Sequence, residues 1–409
     1  MSTILPHDRN SEKTIAQSPA WLAMGFRPFF LCAALFACVT ILMWLHALSS
    51  GTAPSAGYMP FTLWHAHEMI FGFTMAVIAG FLLTAARNWT QLNTMHGYSL
   101  LMLVLLWLFG RIAMAGLFPL PGKLIALSVV GFQLWLALAV GHVIVRAGSR
   151  RNFGIVVVLV LFTVASACAH LDALGFINNA ATPAIHGALH LIIVLNVVIG
   201  GRIVPLFTRN RTGQQSIHNV INVDHAAIIA AVLVAAIATL ATVFQNKTLV
   251  WTLSSVACVS GVLQLLRMRT WGSRAAMRIP MLAVLHAGYA WIGVGHLTMA
   301  AAFFIPTLSH TLALHALSIG VIGTMTLGMM ARVTQGHTGR AIQASRLLVA
   351  GFVAINAAAA ARLAAALLPA NHLATTWMVS GTLFCVAYAA YFFSALKPLT
   401  SRRIDNRAG

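Results

Sequence analysis

Long, nearly uninterrupted apolar runs dominate the chain, and short stretches carrying Arg, Gly, Pro or several polar residues separate them. A membrane-crossing helix needs about 20 largely apolar residues. Twelve runs meet that requirement, with limits near 25-48, 64-86, 98-118, 124-147, 152-174, 183-208, 223-245, 248-267, 279-305, 308-332, 345-368 and 374-396. Apolar positions within each run are continuous instead of alternating with polar ones, so the pattern predicts helices and not the strands of a barrel. The expected fold is all-α: a polytopic membrane helix bundle of about twelve segments over 25-396, with a polar arm over 1-24 and a basic tail over 397-409. The loops at 49-63 and 209-222 are the longest breaks, and neither can hold a folded soluble domain. Residues 1-20 contain no apolar signal core, so the first segment is expected to serve as its own uncleaved insertion signal.

Composition agrees with this picture, since 60% of the 409 residues are hydrophobic and only 8% are charged. The net charge of +19 would suit a nucleic-acid partner until the basic residues are placed. Of the 25 Lys and Arg residues, 21 fall on one side of the alternating segments: near the start of segment 1, after segments 2, 4, 6, 8 and 10, and in the tail. Only Arg111, Lys123, Lys247 and Arg362 fall elsewhere. The charge therefore reads as membrane orientation, with both termini cytoplasmic and the lipid bilayer, not nucleic acid, as the partner. The five cysteines lie inside apolar runs without CxxC or CxxCH spacing, which argues against disulfides, a structural zinc site and covalently attached haem.

Ionisable residues inside membrane segments are functional candidates by default. Six acids occur, and five of them fall in tails or near segment ends; Glu68 alone sits among membrane histidines, in "WHAHEMIFGF" at 64-73. This stretch is not a zinc-protease motif, because Phe71 stands where HExxH needs its second histidine. Ten of the seventeen histidines fall near the non-cytoplasmic side: His46, His65, His67, His170, His186, His190, His296, His310, His315 and His372. Helical geometry places His186 and His190 on one face, separates His310 from His315 by about 140°, and separates His65 from His67 by about 200°. The same geometry groups His65 with Glu68 and Met69. Neutral imidazole binds iron, copper and zinc, and haem is commonly held by histidines of two different helices. Arg111 and Arg362 lie in the same layer and could bind anionic groups such as haem propionates. A second polar cluster is expected on the cytoplasmic side, from His286, "GGRIVP" with Arg202, and "MMARVTQGHTGR" with Arg332, His337 and Arg340. Glycines such as Gly288, Gly293 and Gly320 point to close helix packing.

Taken in order, "FRPFF" at 26-30, "WHAHEMIFGF", "AGFLLTAARNWT" at 79-90, "GGRIVPLFTRN" at 200-210, "LHAGYAWIGVG" at 285-295 and "HALSIGVIGTMTLGMMARVTQGHTGR" at 315-340 closely resemble the NnrS family. The resemblance implies a bacterial inner-membrane protein containing haem and copper and linked to the response to nitric oxide in denitrifying and pathogenic bacteria. It implies non-covalent b-type haem, copper, and nitric oxide as the small-molecule ligand, and leaves the electron donor open. The preferred site residues become His65, His67, His286, His315 and His337, with Glu68, Arg202, Arg332 and Arg340. Helix geometry adds His186 and His190, and depth adds Arg111. Glu68 is the candidate proton donor or acceptor, or the group that orients a histidine ligand. The layout is also similar to haem-copper oxidases and nitric oxide reductases, an analogy of architecture alone. The competing expectation is a proton- or ion-coupled secondary transporter using the membrane histidines and Glu68, although its segment 2-3 loop, "RNWTQLNTMHG", lacks the major-facilitator Asp and Arg pattern.

Overall fold

A computed structural model describes residues 18–51, 58–244 and 246–405. Most of the polar arm, including Asp8, Arg9, Glu12 and Lys13, lies outside these residues, as does Arg407 in the tail. Twelve helices of 18 residues or more occur among the described residues. They are α1 (Phe26–Ser50), α2 (Phe61–Thr90), α3 (Gly97–Met114), α4 (Gly122–Arg146), α5 (Phe153–Ala173), α6 (Ala181–Thr212), α7 (Ile221–Phe244), α8 (Lys247–Arg267), α9 (Pro280–Ala301), α10 (His310–His337), α11 (Arg346–Ala364) and α12 (Leu373–Thr400). Each answers to one of the twelve apolar runs.

Eleven of the twelve are long and apolar enough to cross a membrane, so the chain is a multi-pass membrane protein. The twelfth, α9, has 22 residues and a length of about 33 Å, enough to span a hydrocarbon core of about 30 Å. Its His286, Tyr289, His296 and three internal glycines lower its hydropathy, and most of its length is buried between other helices. It can carry polar groups because protein, not lipid, surrounds it.

Helices α2, α9 and α10 are the most buried, with the others packed around them. Helix α2 touches α1, α3, α4, α6 and α10, while α10 also touches α9, α11 and α12. Large apolar side chains such as Leu127, Leu138, Val145 and Phe393 are exposed on the outside, as suits a surface facing lipid tails. Helices α8 and α9 approach until Gly261 and Gly293 lie against each other's carbonyls, which a side chain at either position would prevent.

Helices α2 and α10 each change winding, to π-helix over Glu68–Thr74 and over Ala316–Gly323. Both π segments begin one residue after a motif histidine, His67 or His315. In the first, Thr74 Oγ1 donates to the Met69 carbonyl at 2.7 Å.

The two ends of the described chain meet at the same end of the bundle. Arg27 is buried at the start of α1, and its Nη1 donates to the carbonyls of Leu399 at 3.1 Å and Ser401 at 2.7 Å. This guanidinium satisfies carbonyls that the last turn of α12 leaves without a helical partner. Residues Leu22, Ala23 and Met24, expected in the polar arm, are buried, because the chain folds against the bundle before α1 begins. At the other limit, α12 continues through Lys397 and Pro398, so the tail starts later than position 397.

Candidate functional site

Eight of the ten histidines at one end of the bundle fall into three groups, each built from more than one helix. In the first, His65 of α2 stacks on Trp44 of α1, with ring centroids 4.4 Å apart and planes 24° apart. His315 of α10 and Arg362 of α11 lie within electrostatic range of His65. The His315 Nδ1–H donates to the Thr311 carbonyl at 2.8 Å, which fixes the tautomer and leaves Nε2 as a lone pair. His65 Nδ1 is buried without a partner, and the Arg362 guanidinium lies 5.1 Å over the Trp377 ring.

The second group lies on the opposite side of α2. His67 Nδ1 donates to Glu68 Oε1 at 2.9 Å, and Arg111 of α3 donates to the same oxygen. The His67 ring meets the His170 ring of α5 edge-on, with centroids 4.9 Å apart. His170 Nδ1 shares a hydrogen bond of 2.8 Å with the Tyr58 hydroxyl. Tyr58 stands in the loop before α2, where burial pushes its phenol up to about 12 and keeps it neutral. His67 Nε2, His170 Nε2, Glu68 Oε2 and Arg111 Nε are buried without partners.

The third group joins α6, α9 and α10. The His186 and His310 rings lie 6.2 Å apart, and His190 lies within electrostatic range of His186, His296 and His310. His296 Nδ1 shares a hydrogen bond with Ser260 Oγ of α8 at 3.0 Å, while His186 Nδ1 and His190 Nε2 are buried without partners. His46 and His372 are exposed and join no group.

His65 and His67 thus serve different neighbours, as their angular separation predicts. Glu68 does not follow its expected grouping with His65. Its carboxylate turns instead to the adjacent His67 and to Arg111. Among the described residues, no three or more His, Cys, Asp or Glu side chains converge at metal-binding spacing.

The other end of the bundle does not assemble its motif residues into one site. His286 is fully buried, but both ring nitrogens are engaged: Nε2 with Thr208 Oγ1 at 2.9 Å and Nδ1 with Ser273 Oγ at 3.0 Å. Arg202 is exposed, and Arg332 covers the Phe207 ring at 3.7 Å. His337 packs on Phe26, with its carbonyl taken by Arg403, and Arg340 reaches Ser401.

Sequence spacing did not reveal a buried network between α6, α7, α8 and α9. Arg267, expected as a loop cation, is 4% exposed. Its Nε donates to Asp224 Oδ1 at 2.6 Å, and its Nη1 donates to the Val197 carbonyl and to the Tyr289 hydroxyl. The Tyr289 hydroxyl donates to Gln264 Oε1 at 2.6 Å, and Gln264 Nε2 donates to the Ala227 carbonyl. A Cβ on Gly201 would collide with the Arg267 guanidinium, so the second glycine of "GGRIVP" makes room for this cation. The signal that could have found it was Gln264 and Arg267 at i, i+3 on one helix face, with Asp224 among only six acids.

An apolar cavity, open on one side, lies among α1, α2, α5, α6 and α10. Its walls include Phe30, Ile78, Phe81, Leu195 and Met329, and the polar exceptions are Thr74, Asn196 and Thr326.

No curated protein matches the chain. The family profile described as NnrS protein matches residues 20–403, which spans every helix from α1 to α12 and both polar ends, so the chain belongs to the NnrS family.

Proposed function

We propose that this protein binds b-type haem between α2 and α10 and acts in nitric oxide handling in the bacterial inner membrane, with copper as a second metal. The observation that carries the haem reading is that His65 of α2 and His315 of α10 lie within electrostatic range of each other and of Arg362. Thr311 holds the His315 ring with its Nε2 lone pair free, and the buried His65 Nδ1 has no partner, so these residues fit a haem held by two imidazoles. Arg362 supplies a positive charge for a propionate. Arg111 is bonded to Glu68 and is therefore less suited to that role. When bound, the haem would supply a one-electron couple, and nitric oxide would bind its iron only in exchange for one of the two imidazoles. The nitric oxide role comes from the family resemblance. Glu68 orients His67 through a hydrogen bond, and Arg111 donates to the same carboxylate oxygen.

The distribution of basic residues supports an orientation with the three histidine groups toward the outer face of the membrane and both termini in the cytoplasm. The apolar walls of the cavity favour an uncharged diatomic molecule over an ion on a transport path.

The test is an absorption spectrum of the detergent-solubilised protein, with iron analysis, before and after addition of nitric oxide. The expected result is a Soret band that shifts with nitric oxide. Absence of the band and of iron, after expression with adequate haem supply, would overturn the reading.

A further inference from the structure

We infer that His67 and His170 are the two protein ligands of a Cu(I) ion, with Glu68 and Tyr58 fixing the rings. This deepens the copper part of the function proposed above and rests on it; it does not depend on the haem.

The two imidazoles come from α2 and α5 and meet in the interior, at 0% and 1% exposure. Each has its Nδ1 engaged, by the Glu68 carboxylate and by the Tyr58 hydroxyl. Each has its Nε2 buried without a partner. Because the Glu68 carboxylate accepts, His67 carries its proton on Nδ1 and its Nε2 is a bare lone pair. A metal on His170 Nε2 requires the ring proton on Nδ1, where the Tyr58 oxygen then accepts it. Two unpartnered Nε2 atoms on buried rings whose centroids lie 4.9 Å apart are costly unless something binds them. An imidazole whose other nitrogen is held by a carboxylate or a hydroxyl is also the usual arrangement of a metal ligand.

Charge selects the ion. Imidazole ligands suit copper, zinc, iron and nickel. Among the described residues Glu68, bonded to His67, is the one carboxylate at these rings, and Arg111 already neutralises it. A divalent ion here would keep its full charge in a low-dielectric interior. The desolvation cost of an ion grows with the square of its charge, so a monovalent ion is far less costly. Cu(I) is monovalent and accepts two nitrogen ligands. A water molecule donating to both Nε2 atoms is the competing occupant.

The experiment is a Cu(I) titration of the solubilised full-length protein against a chromogenic Cu(I) chelator, with copper X-ray absorption on the loaded sample. Wild type is expected to withdraw one copper per chain and to show a low-coordinate Cu(I) edge with nitrogen ligands only. His67→Gln and His170→Gln should each abolish that retention, and Glu68→Gln should weaken it by about tenfold to a hundredfold. His46→Gln, at an exposed histidine outside all three groups, should leave it unchanged. Gel filtration and haem content, read on every variant, separate loss of the ion from loss of the fold, and Tyr58→Phe gives a further variant expected to fold and to bind copper less tightly. Full copper retention by His170→Gln overturns the site while the copper reading stands. No copper on wild type, or zinc retained in its place, overturns both. Copper bound as described in a protein without haem overturns the haem reading alone.

Discussion

Arg267 shows how one residue changes meaning between the sequence and the fold. By position it belongs to the basic residues that follow a membrane segment; by contact it is a buried cation held by Asp224, Tyr289 and the Val197 carbonyl. Removing one partner of a buried ion pair leaves the other charge uncompensated, at a cost of about 3–5 kcal/mol. Asp224→Ala should therefore lower the thermal unfolding midpoint in detergent, and the double variant Asp224→Ala, Arg267→Met should recover part of the loss. Equal instability of the single and double variants would contradict this. The same residue scale divides the opening histidines. His65 stacks on Trp44 toward α10 and α11, whereas His67 turns to Glu68, Arg111 and His170. Their separation was legible from helical geometry, but the side taken by Glu68 was not. Nothing in residue spacing announces that the winding changes to π-helix at that position, and an α-helical projection misplaces the side chains beyond it.

The elements themselves were legible because lipid imposes a strict rule: an apolar run long enough to span must satisfy its backbone internally, and only a helix does so in one segment. All twelve runs became helices, α9 included, although its histidines and glycines place it below the hydropathy of the others. The partners of each helix were less legible, because the contacts that choose between neighbours are small and spread along the chain. Glycines carry much of that choice. Gly201 faces the Arg267 guanidinium, Gly320 the Trp291 ring and Gly288 the Met325 side chain, each too close for a Cβ to fit without movement. Gly131 of α4, by contrast, has nothing near where a Cβ would stand. Gly201→Ala is expected to reduce the folded yield and the unfolding midpoint, while Gly131→Ala leaves both unchanged or slightly raised, since alanine favours helix over glycine by about 1 kcal/mol. Equal behaviour of the two variants in detergent would show that the Gly201 contact carries no weight.

For the whole molecule, the arrangement separates two kinds of polar chemistry at opposite ends of one bundle. One end gathers histidines with unpartnered nitrogens; the other gathers arginines that clasp chain ends and carbonyls, as Arg27 and Arg403 do. The basic residues predict that the arginine end faces the cytoplasm. Alkaline phosphatase fused in the α3-α4 loop should be active, and fused after α12 inactive; the reverse pattern would invert the orientation. The histidine layer was visible in the sequence as a concentration, yet its division into three groups was not, because each group draws on helices far apart in the chain. His170 and Tyr58 joined His67 only through the fold. The most direct test of the haem assignment is the haem content, by absorption, of His65→Ala and His315→Ala proteins beside His286→Ala and His372→Ala, all expressed with the same haem supply. Loss of haem from the first two with retention in the last two is the predicted result. Haem retained in both His65→Ala and His315→Ala, or lost from His286→Ala instead, would contradict a haem held between α2 and α10.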